Sequence, residues 1–236
     1  MAKPDGAEQG VDTAVVRGLV LLTMTAGMID AVTFLGLGEV FAANMTGNLV
    51  VLGLAIAGAP TLSIDGPAVA LAAFLAGAAL IGRVERHDQP RRYYVLHLVR
   101  IEVAVIAVAT ALAIGFDGDE QFRRLVIIAV LAGLMGVRNE TIRRINVPEL
   151  RTTVLTLAIA GFAAHEAEGA HNQWGDRLRF AGIVAMISGA IISALLVLNT
   201  EVVWALAAIT LVEGLTLLVL VRGGSAPTGA GDTVRA

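Results

Sequence analysis

The stretch GMIDAVTFLGLGEVFAANMTGNLVVLGLAIAG (residues 27–58) decides how this chain can fold. It ends one long apolar segment and leads, through the polar run FAANMTGN, into a second apolar segment, Leu49–Gly58. A bilayer core needs about 20 helical residues at about 1.5 Å each, so about ten residues reach only half of it. Polar main chain at that depth is tolerated only where protein or water satisfies it. Residues 49–58 are therefore predicted to form a half-length or re-entrant helix.

A second segment of the same kind occurs later in the chain. Val154–Ala164 (VLTLAIAGFAA) is equally short and follows the turn-prone run NVPELRTT. The same length argument predicts a second half-length or re-entrant helix there.

Six other segments are long enough to span a bilayer. The chain has 236 residues, 56% hydrophobic and 16% charged, with a mean hydropathy of +0.77, whereas soluble domains carry about 25% charged residues. This composition excludes a soluble enzyme and a disordered protein, and a net charge of −3 without a basic surface excludes a nucleic-acid binder. The predicted spans are Val15–Leu37, Pro67–Gly82, Val95–Gly115, Phe122–Val137, Phe180–Leu198 and Val202–Val221. The predicted fold is an all-α integral membrane protein with about six transmembrane helices and two shorter ones.

The charge distribution predicts the topology. If neither short segment crosses, only Arg123 and Arg124 lie on one side of the membrane, and the other loop Lys and Arg residues lie on the opposite side. If both segments cross, the basic residues divide evenly, which conflicts with the positive-inside rule. We therefore predict six full spans with both termini in the cytoplasm. One polytopic domain (residues 13–222) is expected between a polar N-terminal tail (1–12) and a disordered C-terminal tail (223–236).

The two halves of the chain, about 13–115 and 122–222, resemble each other. LAIAG occurs at residues 54–58 and again at 157–161, and Glu102 recurs as Glu213 at nearly the same separation. Ala73 and Gly77 likewise recur as Ala185 and Gly189. Three spans per half make the halves enter from opposite sides, so an inverted-topology repeat is predicted, which is typical of secondary transporters.

The same segments carry a family resemblance. Residues 27–58, together with GVRNETIRRINVPELRTTVLT (residues 136–156), resemble the YoaK-like family of small bacterial membrane proteins of unknown function. That family usually has G-L-Q-N-A in the second half, where this chain has Arg138 and Glu140, and a Thr-rich run where this chain has Arg151. The resemblance implies a multi-pass protein of the bacterial plasma (inner) membrane with about six spans, and it implies no activity.

Asp30 lies well inside the first span, where an ionised carboxylate is costly unless it is protonated, paired or hydrated. It is a candidate for ion or proton coupling, and the alternative is that it only holds the half-helix in place. Asn44, Thr46 and Asn48 precede the first half-helix, where free N–H groups favour anions. These three residues are candidates for binding a solute or ion, or for simple helix capping and interhelical bonding.

The second half offers counterparts. Thr152, Thr153 and Thr156 precede or begin the second short segment, and Asn139 matches Asp30 in the repeat. Two further acids, Glu102 and Glu213, lie inside other spans, either as proton acceptors or as structural partners of Arg100 and other buried donors. The residues singled out as candidate sites are Asp30, Asn44, Thr46, Asn48, Glu102, Asn139, Thr152, Thr153, Thr156 and Glu213.

These features favour a small secondary transporter or permeation protein for a small solute or ion. The alternative is a non-transporting membrane scaffold whose buried polar residues are purely structural. No enzyme is expected, because the chain lacks cysteine and the H-E-x-x-H, G-x-S-x-G, Walker and Rossmann motifs. No cofactor or metal site is expected, and the His165–His171 loop is interpreted as solvated. The expected partners are the lipid bilayer, the solute and, as an open option, a second copy in a homodimer.

Overall fold

The computed structural model describes residues 13–84, 90–116, 120–145 and 173–223, and all regular secondary structure in these ranges is helical. The predicted all-α membrane architecture is confirmed, with six helices long and apolar enough to span a bilayer and one shorter apolar helix. The helices are α1 (Thr13–Gly36), α2 (Met45–Ile56), α3 (Asp65–Arg83), α4 (Arg91–Leu112), α5 (Gln121–Ile145), α6 (Gln173–Asn199) and α7 (Val202–Arg222).

The short helix α2 does not cross the bundle. Gly38, just after α1, lies against the Arg124 side chain near the start of α5. Asp65, at the start of α3, accepts a hydrogen bond of 2.9 Å from Gln121, which also begins α5. The chain therefore leaves α1 and enters α3 at the same end of the bundle, so α2 is re-entrant. The second short segment, residues 154–164, lies outside the described residues, as do both predicted tails.

Long helices that follow one another along the chain run in alternating directions, and this collects the basic residues at one end. Arg92 at the start of α4 donates to the carbonyl of Leu220 near the end of α7. Arg144 near the end of α5 donates to the carbonyl of Val84, just beyond α3, at 2.9 Å. Among the helices, only Arg123 and Arg124 lie at the opposite end. The basic end carries Arg17, Arg83, Arg91, Arg92, Arg143, Arg144, Arg177, Arg179 and Arg222.

Two pairs of helices pack closely, α1 with α6 and α3 with α5. In the first pair, a Cβ atom on Gly27 would clash with the carbonyl of Met186, and one on Gly189 would clash with that of Met24. The absence of a side chain lets the two backbones approach each other. Gly189 therefore packs against another helix of the same chain.

The same arrangement occurs in the second pair. A Cβ atom on Gly136 of α5 would clash with the carbonyl of Phe74 in α3, and one on Gly77 of α3 would clash with that of Gly133 in α5. A glycine from each helix thus faces the partner's backbone in both pairs.

The six long helices form two units of three. In the first unit, α7 packs against α1 of the α1–α6 pair, and in the second unit, α4 packs against α5 of the α3–α5 pair. The main contact between the two units is that of α4 with α7, whereas α1 touches α4 and α5 only slightly. The two units therefore meet along α4 and α7, which pack against each other as extensively as α7 packs against α1. We call this contact the seam.

Candidate functional site

A cluster of charged side chains occupies the seam between the two units. It consists of Glu102 from α4, Arg138 from α5, Glu213 from α7 and Thr25 from α1, and we call it the central cluster. The side chains of Glu102 and Glu213 are fully buried, and that of Arg138 is 2% exposed. Glu102 and Arg138 belong to the second unit, while Glu213 and Thr25 belong to the first.

Arg138 is the centre of this network. Its Nε donates to Glu102 Oε1 at 2.5 Å, and its Nη2 donates to Glu213 Oε1 at 2.6 Å. Its Nη1 donates to the carbonyl of Leu22 at 2.8 Å and to Thr25 Oγ1 at 3.1 Å. Thr25 Oγ1 in turn donates to Glu213 Oε1 at 2.6 Å. One guanidinium therefore ties side chains of three helices to the main chain of α1.

The central cluster lies deep in the membrane-spanning part of the bundle. Thr25, Glu102 and Glu213 each lie about ten residues from both ends of their helices, which is about 15 Å at the usual helical rise. Charged groups are most costly at this depth and are usually functional there. Removing such ions from water costs several kcal/mol each, which only close pairing and further hydrogen bonds can offset.

The pairing in the central cluster is incomplete. Two carboxyl groups face one guanidinium, and Oε2 of Glu102 and Oε2 of Glu213 are buried without a hydrogen-bond partner. The carboxyl groups of Glu102 and Glu213 also lie close enough to interact with each other. The cluster therefore has one carboxyl group more than its cation can balance.

Two expectations about these residues were wrong. The buried acids do not pair with Arg100, which is exposed, and their partner is Arg138. The apolar run of this span ends at Val137, and this predicts Arg138 to be one of the cytoplasmic loop residues. Helix α5 continues to Ile145, since residues beyond Val137 still pack against other helices, and Arg138 thus lies inside the bundle.

A second polar region lies where the chain re-enters the bundle between α1 and α2. Asp30 is 6% exposed, and its Oδ1 accepts a hydrogen bond of 2.7 Å from the N–H of Ala43. The N–H groups of Ala42 and Asn44 also interact with this carboxylate, and Arg138 lies within electrostatic reach. Asp30 therefore holds the main chain that leads into α2, which favours the structural alternative for this residue.

Asn48 closes the same turn from the other side. Its side chain is fully buried, its Oδ1 accepts from the N–H of Phe41 at 2.8 Å, and its Nδ2 donates to the carbonyl of Phe41 at 2.6 Å. Gly38 and Glu39 adopt positive φ angles of 95° and 60°, which turns the chain back toward α1. We call Asp30, residues 37–44 and Asn48 the re-entrant turn.

The other candidates of the first half are accessible. The Oδ1 atom of Asn44 caps α2 by accepting from the N–H of Gly47 at 3.2 Å, and both Asn44 and Thr46 are exposed. The structure thus brings Asp30, Asn44 and Asn48 together around one turn, with Thr46 on the first turn of α2.

The second-half candidates are only partly described. Asn139 is half-buried on α5, next to Arg138 in the sequence. Thr152, Thr153 and Thr156 lie outside the described residues, as does the His165–His171 loop. No group of three or more His, Cys, Asp or Glu residues in the described ranges could hold a metal ion.

Comparisons with known proteins agree with this architecture. Residues 18–219 match the model of a family described as "Protein of unknown function (DUF1275)". The chain is 31% identical over 150 residues to UPF0700 transmembrane protein YoaK of Bacillus subtilis (strain 168), and this match covers 60% of the chain and 63% of that protein. The matched region thus spans less than two thirds of the relative. No solved structure matches the chain. The predicted YoaK-like resemblance is confirmed.

Proposed function

The chain belongs to the DUF1275 family, a family of unknown function, and we propose that this multi-pass membrane protein is a small secondary transporter or permeation protein. It moves a small solute or ion across the bacterial inner membrane, with both termini in the cytoplasm. The observation that carries this proposal is the central cluster. Ionisable residues inside the membrane mark functional sites by default, and this cluster has a surplus carboxyl group and lies on the seam between two units.

An inverted repeat supports a transport mechanism. Helices α1, α3 and α4 correspond in order to α5, α6 and α7, and the paired glycine contacts of α1 with α6 match those of α3 with α5. Helices α1 and α5 run in opposite directions, because Gly38 beyond the end of α1 contacts Arg124 at the start of α5. In transporters built this way, one unit rocks against the other around a site near the midplane.

The solute site is assigned to the region of the re-entrant turn. Asn44 and Thr46 are the exposed polar residues at the start of α2, and they are the binding residues in this proposal. Asp30 and Asn48 position them, because their polar atoms are engaged with the main chain. Asn139, and Thr152, Thr153 and Thr156 of the second half, remain proposed contributors from the opposite side. No enzymatic reaction is part of the proposal.

The scaffold alternative draws on one specific observation. Asp30 and Asn48 make the local hydrogen bonds expected of residues that only hold a fold together. A scaffold with these residues loses stability when they are replaced but never moves a solute.

A disulfide across the seam separates the two functions. Thr110 of α4 and Thr210 of α7 face each other with their hydroxyl oxygens 3.3 Å apart. The chain has no native cysteine, so the double variant Thr110→Cys/Thr210→Cys can be oxidised without background. If the units rock, solute flux into proteoliposomes, screened over a solute panel, stops on oxidation and returns on reduction.

A matched control joins two helices within one unit. A Cβ atom on Gly36 of α1 would lie 3.8 Å from that of Val202 in α7, which is close to the usual spacing in a disulfide. The oxidised double variant Gly36→Cys/Val202→Cys should keep its flux, and Asp30→Asn should reduce it. If no solute moves with the wild-type chain, transport is wrong and the scaffold stands. If flux survives the α4–α7 disulfide, rocking at this seam is wrong.

A further inference from the structure

Two buried oxygen atoms in the central cluster point to a ligand. Oε2 of Glu102 and Oε2 of Glu213 have no hydrogen-bond partner, although both side chains are fully buried. Glu102 and Glu213 already interact through their carboxyl groups, so the ligand has to be small enough to fit where these groups meet.

The charges around these atoms define what that ligand is. Helix α5 contributes the Arg138 guanidinium, and α1 contributes the neutral Thr25 and, further away, Asp30. The other described charged residues of α3 and α6 lie at or near the helix ends. The site therefore carries a negative excess that one positive charge would neutralise.

We propose that Glu102 and Glu213 share one exchangeable proton, and that this proton is the coupling ion of the transporter. This inference rests on the proposed function. Two neighbouring carboxyl groups in a medium of low dielectric do not both ionise, and the pair retains one proton. Mg²⁺ and Ca²⁺ take six or more oxygen ligands, and the Arg138 guanidinium already occupies Oε1 of both acids.

The proton resides on Glu102 in the arrangement that the structure shows. Glu102 Oε1 accepts one hydrogen bond, from Arg138, whereas Glu213 Oε1 accepts two, from Arg138 and Thr25. The carboxylate with more donors is the better stabilised anion. The O–H of Glu102 lies on Oε2 and is shared with Glu213 across the seam.

Release of this proton changes the contact between the units. The O–H bond of Glu102 breaks, the proton passes to water on the side then open, and Glu102 becomes a carboxylate without any other bond changing. Arg138 remains paired with Glu102, which belongs to the same unit. The carboxylate of Glu213 in the other unit is then repelled by that of Glu102, because one guanidinium cannot balance both negative charges. Proton binding thus favours closure of the seam, and proton release favours its opening.

Infrared difference spectroscopy of the full chain in liposomes tests the shared proton directly, without any solute. We expect wild-type protein at neutral pH to show the carbonyl stretch of a buried protonated carboxyl group, shifted in D2O and lost at alkaline pH. Glu102→Gln should remove this band. Glu213→Gln should also remove it, because Glu102 then forms a balanced pair with Arg138. A control, Glu140→Gln, replaces an acid paired with Arg143 and Arg144 near the basic end and should leave the band unchanged.

The outcomes for the proton and for transport are separable. If the band is absent from the wild type, or persists in both Gln variants, the shared proton is wrong whatever the flux assay shows. If the band behaves as expected and an entrapped pH dye reports proton movement with solute flux, the inference holds. If the band behaves as expected but the flux of an identified solute moves no protons, the coupling role is overturned. A flux assay that finds no solute at all overturns the proposed function and leaves the proton site intact.

Discussion

The central cluster and the re-entrant turn both bury carboxyl groups deep in the bundle, but they satisfy them differently. In the re-entrant turn, Asp30 and Asn48 bond to main-chain atoms within about 13 residues along the chain. In the central cluster, Arg138 bonds to residues of α1, α4 and α7, which are 36 to 116 positions away. The turn is held within its own segment, whereas the cluster exists only because two units meet.

This difference indicates that the re-entrant turn stabilises the fold, whereas the central cluster can respond to a change in protonation. Main-chain N–H groups cannot titrate, so the hydrogen-bond donors that Ala43 and Phe41 contribute to the re-entrant turn do not change with pH. The central cluster has a surplus carboxyl group and lies beside the α4–α7 contact that joins the two units, so we infer that one proton alters this contact. Substitutions in the two regions should therefore change the free energy of unfolding by different amounts.

The largest effect is expected for Arg138→Gln in the central cluster. Removing the only cation leaves buried carboxyl groups uncompensated, which costs about 3–5 kcal/mol in the free energy of unfolding. Unfolding of the full chain in mixed detergent micelles measures this loss. The control Arg123→Gln removes a half-exposed ion pair with Glu120 and should cost less than about 1 kcal/mol. Equal losses for the two variants would contradict the importance of the central cluster.

Asn48→Ala is expected to have the next largest effect. It leaves the N–H and the carbonyl of Phe41 without their partner, which should cost about 2 kcal/mol in the same unfolding measurement. Thr46→Ala, two residues away and exposed, should change stability by less than about 0.5 kcal/mol. A stability loss at Thr46 comparable with that at Asn48 would show that the turn is held by other contacts.

Asp30→Asn should cost about 1 kcal/mol. The amide oxygen can still accept from the N–H of Ala43, but it is a weaker acceptor than a carboxylate. Asp30→Leu, which removes the acceptor, should cost at least twice as much by thermal unfolding in detergent. If Asn and Leu prove equivalent at this position, the hydrogen bond to Ala43 contributes nothing to the turn.

Glu102→Gln in the central cluster, like Asp30→Asn in the re-entrant turn, replaces a carboxyl group by an amide. It should have the smallest effect on the free energy of unfolding. Because Glu102 carries the shared proton, its replacement by a neutral amide should alter the unfolding free energy at neutral pH by less than about 0.5 kcal/mol. The free energy of unfolding of the wild type should change between neutral and alkaline pH, and this change should be smaller in Glu102→Gln. A loss above that of Asp30→Asn would mean that Glu102 is ionised.

The sequence predicted those parts of the molecule that depend on local pattern. Apolar length predicted the six spans, and the brevity of residues 49–58 predicted that α2 does not cross. Asp30 was singled out as an acid inside an apolar span, and Asn48 as a polar residue just before a half-helix. Their detailed partners are main-chain atoms, which no sequence pattern identifies.

The partner of the two buried acids could not be predicted in the same way. Glu102 and Glu213 stood out as acids within apolar spans, but Arg138 follows the last apolar residue of its span and resembled a loop cation. Its burial results from packing between α5, α1 and the two acidic helices, which is tertiary information. An Arg one residue beyond an apolar run, in a chain with two unpaired intramembrane acids, was the available signal.

Distance measurements between spin labels on the two units show whether the proton of the central cluster controls the seam. Arg83→Cys at the end of α3 and Arg177→Cys near the start of α6 place exposed, unique labels on opposite units at the basic end. In lipid nanodiscs, we expect pulsed electron paramagnetic resonance to give different distance distributions at acidic and alkaline pH for the wild-type background. With Glu102→Gln added, the distribution seen at acidic pH should be found at both pH values. One unchanging distribution in the wild type at both pH values would contradict a seam controlled by the proton of the central cluster.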